Sequence, residues 1–195
     1  MSEPASVFIR PAWPTDAARL AHIHVTSWRE TYSGLMPPEV LERMTGEAMR
    51  QRCEQGWLHT LSQETDCVQV AEMGGQAPAG GPFCSRNGQV VGFASGGVLR
   101  PHTVIPGDYD AELYTLYTLK AAQGRGLGRL LFAAVARELH GRGCVGLVLW
   151  VLAANPIRQF YIYLGGRELG QKVEAVPGGE LIEVALGWRD LTRLF

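Results

Sequence analysis

The spacing of apolar residues changes several times along the chain, and each change predicts an element. Val7, Phe8 and Ile9 form a short apolar run stopped by Pro11 and Pro14, which predicts a first strand. Thr15 or Asp16 then caps a helix in which Leu20, His24, Ser27 and Trp28 share one side, with Ala17, Ala21 and Val25 beside them. Residues 32–38 break it. From Glu39 helical spacing resumes through Leu41, Met44 and Ala48 towards Trp57, so two helices are expected after the first strand. Residues 67–71 and 89–96 read as the second and third strands. Between them the glycines and prolines from Gly74 to Pro82 cannot build a core element and predict a mobile loop over about residues 74–88.

The second half is more regular. Residues 113–119, opened by Glu112, are rich in aromatic and β-branched side chains and read as a strand. Leu127, Leu130, Leu131, Ala134, Val135 and Leu139 fall at i, i+3, i+4, i+7, i+8 and i+12, the stripe of a core-facing helix that Gly141 can end. Residues 145–152 are almost continuously apolar, as in a strand buried on both faces. Asn155 and Pro156 suit the N-cap and first position of a short helix reaching about Leu164, and residues 168–173 and 181–188 read as two strands joined by Pro177-Gly178-Gly179. The order β-α-α-β-β-β-α-β-α-β-β is mixed α+β, with one right-handed crossover around the helix at 127–140.

Composition narrows the class. A chain of 195 residues with 46% hydrophobic and 19% charged residues suits a single domain over 1–195, with its core at about 7–188. Eighteen basic and nineteen acidic residues leave a net charge of −1, which supplies no field for nucleic acid or an anionic membrane. Met1-Ser2-Glu3-Pro4 carries no basic targeting region, and the longest apolar run, residues 147–154, falls short of the ~18 residues of a spanning helix, so a cytoplasmic protein is expected. Cys53, Cys67, Cys84 and Cys144 form no C-x-x-C pair and read as isolated thiols, with no metal site.

The chemistry concentrates in Gln123-Gly124-Arg125-Gly126-Leu127-Gly128-Arg129, a glycine-rich turn between predicted strand and helix. There the missing Cβ atoms admit a ligand, and the first N–H groups of the helix have no internal acceptor, which suits a phosphate. The dinucleotide fingerprint G-x-G-x-x-G would put its third glycine on Arg129, and a Walker A loop needs a following Lys-Ser/Thr that is absent. The pattern Q/R-x-x-G-x-G/A matches at every position. Here the chain resembles the GCN5-related N-acetyltransferase superfamily. Leu116-Tyr117-Thr118 is similar to the family's pantetheine-pairing strand, Asn155 to Gly165 to its N-x-x-x-x-F-Y-x-x-x-G segment, and Ser27 to Pro37 to the first two helices of one bacterial branch. Thr118, Lys120, Arg158 and Gly166 depart from the usual valine, proline, alanine and aromatic residue.

The resemblance implies an acyl-CoA N-acyltransferase fold, a mostly antiparallel sheet of about seven strands flanked by helices and splayed between the fourth and fifth. It implies acetyl-CoA held by Leu116, Tyr117, Thr118, the loop Gln123, Gly124, Arg125, Gly126, Leu127, Gly128 and Arg129, and Asn155 and Arg158. Tyr161 becomes the candidate general acid for a departing thiolate, and Glu112, at the strand opening and expected to face the splay, the candidate base. His22 and His24 are alternatives to Glu112, and Tyr163 points to another face. Trp28, Tyr32 and His24 are expected to border the acceptor, with the 74–82 loop over it. Direct transfer to a primary amine is expected, to a small molecule rather than a protein, by a monomer or homodimer. A non-catalytic acyl-CoA sensor is the alternative.

Overall fold

The computed structural model describes residues 6–63, 65–74, 88–101, 104–176 and 179–195. The loop expected at 74–88 therefore lies almost wholly outside the described residues, as do Cys84, Pro177 and Gly178. Among the described residues the chain forms β1 (Val7–Pro11), α1 (Ala17–Tyr32), α2 (Pro38–Thr45), α3 (Glu47–Gln63), β2 (Cys67–Met73), β3 (Gln89–Val98), β4 (Ala111–Thr118), α4 (Leu127–Gly141), β5 (Leu147–Leu152), α5 (Arg158–Tyr163), β6 (Arg167–Val176) and β7 (Gly179–Trp188). The strands make one sheet in the order β1-β2-β3-β4-β5-β7-β6, in which β4 and β5 are parallel and the other neighbours antiparallel.

Several boundaries differ from the sequence expectation, three of them for a visible local reason. The single helix expected from Glu39 is broken at Gly46, whose backbone is extended, giving α2 and α3. β5 starts at Leu147 because the Asp110 carboxylate captures the N–H groups of Val145 and Gly146 at 2.9–3.0 Å. Regular α5 starts at Arg158, since residues 155–158 form a tighter turn in which the Arg158 N–H donates to the Asn155 carbonyl at 3.1 Å.

Among the described residues two larger cores lie on opposite faces of the sheet, and a smaller cluster gathers Tyr109, Val148 and Ala185 with Trp150. One packs Leu127, Leu131, Phe132, Val135 and Leu139 of α4 on Leu113, Leu149 and Leu186, and the expected i, i+4 stripe is buried except for Ala134, which is half-buried, and Leu130, which is 47% exposed. The other packs Leu20 and Ile23 of α1 on Val68, Val70 and Phe93, with Trp57 of α3 alongside. β4 serves both by means of a bulge. Ser95 pairs with Thr115 but the next residue, Gly96, pairs with Leu113, so Tyr114 is the extra residue. The alternation shifts by one there: Leu113 and Leu116 face α4, whereas Tyr117 joins the α1 side.

Gly96 lets α4 approach the bulge. A Cβ there would stand 2.9 Å from the Glu112 carbonyl oxygen and 2.9 Å from Val135 Cγ1. Gly96→Val is expected to lower unfolding stability by about 1–3 kcal/mol in a urea titration; an unchanged midpoint would show that α4 does not press on β3 as described.

Candidate active site

The sheet comes apart where β4 leaves β5. Their parallel pairing covers only Ala111 with Leu147, Glu112 with Val148 and Leu113 with Leu149. Beyond that, β4 stays on β3 as far as Thr118 and β5 stays on β7 as far as Leu152. The expected splay is this gap, and it opens a cavity of about 360 Å³. Its walls are residues 113–118 of β4, residues 149–152 of β5, and Ser27, Glu30, Thr31 and Tyr32 at the end of α1. Asn155, Tyr161 and Glu183 close it on the far side, and Lys120 and Gln123 lead from it to the glycine loop.

That loop has the geometry its composition calls for. Gly124 and Gly126 adopt φ of +74° and +76°, a left-handed conformation that favours glycine, and a Cβ on either would meet nothing within 4 Å, so the space above both is open. The Gln123 side-chain amide donates to the Thr118 carbonyl at 3.2 Å and ties the loop back to β4. The Leu130 N–H is the first of α4 to bond inside the helix, to Gly126 at 3.1 Å. The N–H groups of Leu127, Gly128 and Arg129 thus stand at the positive end of the helix without intrahelical acceptors. Arg125 and Arg129 are exposed beside them.

Asn155 is 5% exposed, and its Oδ1 accepts the Ile157 N–H at 3.1 Å, which fixes the turn into α5. Tyr161 is buried on the inner face of α5, against Phe132, Phe160 and Trp188. Burial, reinforced by the neighbouring Tyr32, raises its pKa well above the usual phenol, so its proton is retained at neutral pH. Tyr163 is 81% exposed. The aromatic residue missing at Gly166 is supplied from β7: a Cβ at Gly166 would lie 2.7 Å from Trp188 Cζ2, and the Trp188 indole donates to the Leu164 carbonyl at 2.9 Å.

Several candidates sit elsewhere than expected. Glu112 does not line the cavity; it is 1% exposed in the paired part of β4, where the Arg100 Nε donates to it at 3.0 Å. The bulge at Tyr114 comes after it, so the strand has not yet opened at its position. Arg158 bonds Glu168 on β6 at 2.6 Å and is absent from the cavity wall. Trp28 and His24 also leave the wall to Tyr32: the Trp28 indole donates to the Tyr117 hydroxyl at 2.7 Å, and the His24 ring packs 5.0 Å from that of Tyr117. The Tyr117 side chain thereby faces α1, leaving its backbone to the cavity. Burial lowers His24 to a pKa of about 4, so its imidazole is neutral and a poor base. His22 is on the exposed side of α1.

The sequence reading missed Ser27, Trp150 and Glu183 as cavity residues. Ser27 is 2% exposed with an unbonded Oγ. Trp150 is hidden in an apolar run, and Glu183 looks like any charged residue of an outer hairpin. Only the pairing of Leu152 with Glu183 brings that carboxylate to the gap.

The profile of a family described as FR47-like protein matches residues 90–175. A GCN5-related N-acetyltransferase from Rhodopseudomonas palustris shares the fold with a TM-score of 0.64, at 20% identity over 97% of this chain and 99% of that one. YncA from Salmonella typhimurium, solved with its cofactor acetyl-CoA, superposes with a TM-score of 0.66, at 20% identity over 94% of each chain. An uncharacterized N-acetyltransferase of Bacillus subtilis (strain 168), YuaI, is 32% identical over 188 residues, 96% of each chain. The chain belongs to the GCN5-related N-acetyltransferase superfamily. In this N-acetyltransferase no group of three or more His, Cys, Asp or Glu among the described residues could hold a metal ion, and no helix there is long and apolar enough to cross a membrane.

His24 sets an acid limit on stability. The unfolded chain takes up a proton as pH falls through about 6.5, whereas the folded chain resists until about 4, so stability present above pH 6.5 is lost on the way down to 4, by about 3 kcal/mol at most. Urea midpoints of His24→Phe measured from pH 7 to 4.5 are expected to fall less steeply than those of the wild type; parallel curves would refute the assignment.

Proposed function

We propose that this N-acetyltransferase transfers an acetyl group from acetyl-CoA to a primary amine by direct attack within a ternary complex. The observation that carries the proposal is the continuity of one cavity from the glycine loop, through the β4/β5 gap, to the buried hydroxyl of Tyr161. The chain fits the donor at both ends. Open space over Gly124 and Gly126, beside the α4 N–H groups, suits a pyrophosphate. Backbone of residues 115–118, unpaired on the β5 side, suits the amides of a pantetheine arm by the same physics that adds a strand to a sheet edge. When bound, acetyl-CoA supplies an activated acetyl thioester.

The chain's own groups then divide the work. The loop from Gln123 to Arg129 binds phosphate, and Leu116, Thr118 and Asn155 orient the arm. The Tyr161 Oη holds a proton for the sulfur that departs, a proton its apolar surroundings keep in place. Tyr32 and Glu183 border the acceptor end, and Glu183 replaces Glu112 as the carboxylate available to an ammonium. Direct attack is favoured over an acyl-enzyme because no cysteine lines the cavity among the described residues, and because Ser27 has no base: its Oγ and the His24 Nδ1 are both without partners.

Tyr161→Phe is expected to lower kcat about 100-fold with little change in acetyl-CoA affinity. Gly126→Glu is expected to abolish stabilisation by coenzyme A, since it strains a left-handed backbone and sets a negative charge where the phosphate binds. Thermal-shift titration with acetyl-CoA and thiol release over an amine panel check both. Full activity of Tyr161→Phe across pH would remove the acid role, and stabilisation of the wild type without thiol release from any amine would favour a non-catalytic acyl-CoA sensor.

A further inference from the structure

Resting on that reading, we propose that the acceptor is an aliphatic primary amine whose ammonium group is received by Glu183 and the ring of Trp150, a seat that the chain's own Lys172 now fills. Lys172 on β6 lies directly opposite Glu183 on β7. Its Nζ stands 2.8 Å from the Glu183 Oε2 and 4.6 Å from the centroid of the Trp150 ring. Trp150 and Glu183 both line the cavity of the β4/β5 gap, whereas Lys172 does not. The three share one face of the sheet, because Trp150 pairs with Ala185 and Leu152 with Glu183.

A carboxylate beside an aromatic face attracts an alkylammonium by charge and by the quadrupole of the ring, and Lys172 is itself an alkylammonium on a four-carbon stem. It therefore shows what the seat accepts. The seat is also exchangeable. The Lys172 side chain is 39% exposed and that of Glu183 24%, β6 is the edge strand, and an ion pair so wetted is weak. An incoming ammonium can take the place of Nζ without unfolding anything. Tyr32 joins the seat to the reacting centre, since it lines the same cavity as Glu183, Asn155 and Tyr161.

Charge around the cavity narrows the class further. Its second carboxylate, Glu30, accepts the Lys120 N–H at 3.0 Å, and the cavity's one lysine, Lys120, is at the loop end beside Gln123. An acceptor with a carboxylate on the carbon bearing its amine, as in a free α-amino acid, would bring that carboxylate against Glu183 and is excluded. An alkyl stem alongside Trp150 is accommodated.

The test titrates n-pentylamine, and glycine as the carboxylate-bearing comparison, into the full chain with coenzyme A present, followed by saturation-transfer NMR. Stabilisation of each variant by coenzyme A reports that the fold and the donor site are intact. Lys172→Ala is expected to tighten pentylamine binding about tenfold by removing the internal competitor, and Glu183→Gln to weaken it by a similar factor. The double variant should bind like Glu183→Gln, and glycine should show no transfer to the wild type or to Lys172→Ala, the two forms that keep the Glu183 carboxylate. Where the wild type releases thiol, KM for pentylamine should follow the same order. Pentylamine binding indifferent to both substitutions, or a gain from Lys172→Ala that survives in the double variant, overturns the proposal. Wild-type protein that binds coenzyme A yet releases no thiol with any amine overturns the acetyltransferase reading instead, and the NMR titration still decides the seat.

Discussion

Backbone hydrogen bonding between β4 and β5 ends after three residue pairs, and the rest of the molecule is arranged around that shortfall. Strand backbone left without a partner is tolerated only where water or a ligand can complete it. The two strands are held apart because each is committed elsewhere, β4 to β3 and β5 to β7, and because the bulge at Tyr114 turns β4 as the gap begins. Helix α4 then crosses the face below the gap and brings its N-terminus to the mouth. The place that lacks a strand is thus also the place that offers uncapped N–H groups, and a ligand with amides at one end and phosphates at the other answers both.

The two faces of the sheet have separate duties. The α4 face is a continuous apolar core, including Leu113, Leu116, Leu149 and Tyr161, and it holds the donor side rigid. The α1 face is more varied: an aromatic group of His24, Trp28, Phe93 and Tyr117 backs the cavity, with the hydroxyls of Ser27, Ser95 and Thr115 among it. Neutral His24 and raised, protonated Tyr117 fit this division, since neither places a charge in the backing layer. The charged residues that line the cavity are Glu30, Lys120 and Glu183.

How much of this could be read in the chain beforehand depended on whether the determinant was local. The glycine loop and α4 were legible because spacing and left-handed glycines act over a few residues, and the place of Asn155 and Tyr161 on the cavity because they belong to one short segment, the turn into α5 and α5 itself. Glu112 was misplaced because β4 reads as an even strand, and the bulge that separates its buried start from its open end follows from pairing with β3. Trp28 and His24 were given to the acceptor on the strength of their helix face, but that face meets Tyr117, a contact between distant segments. Glu183, Lys172 and Trp150 were invisible for the same reason: three strands, with β5 far from β6 and β7 in the chain, must align before they adjoin. The break at Gly46 was local and still missed, because the apolar spacing on either side continues across it.

The exchange between Gly166 and Trp188 ties two distant parts of the chain together. The left-handed glycines of the loop at 123–129 are set by neighbouring residues, but Tyr161 is held in place by a ring from the last strand, which fills the space that Gly166 leaves and bonds the end of α5. The shape of the glycine loop thus depends on contacts close in sequence, whereas the place of Tyr161 depends on the last strand of the chain, so a change in β7 reaches Tyr161 before it reaches the loop.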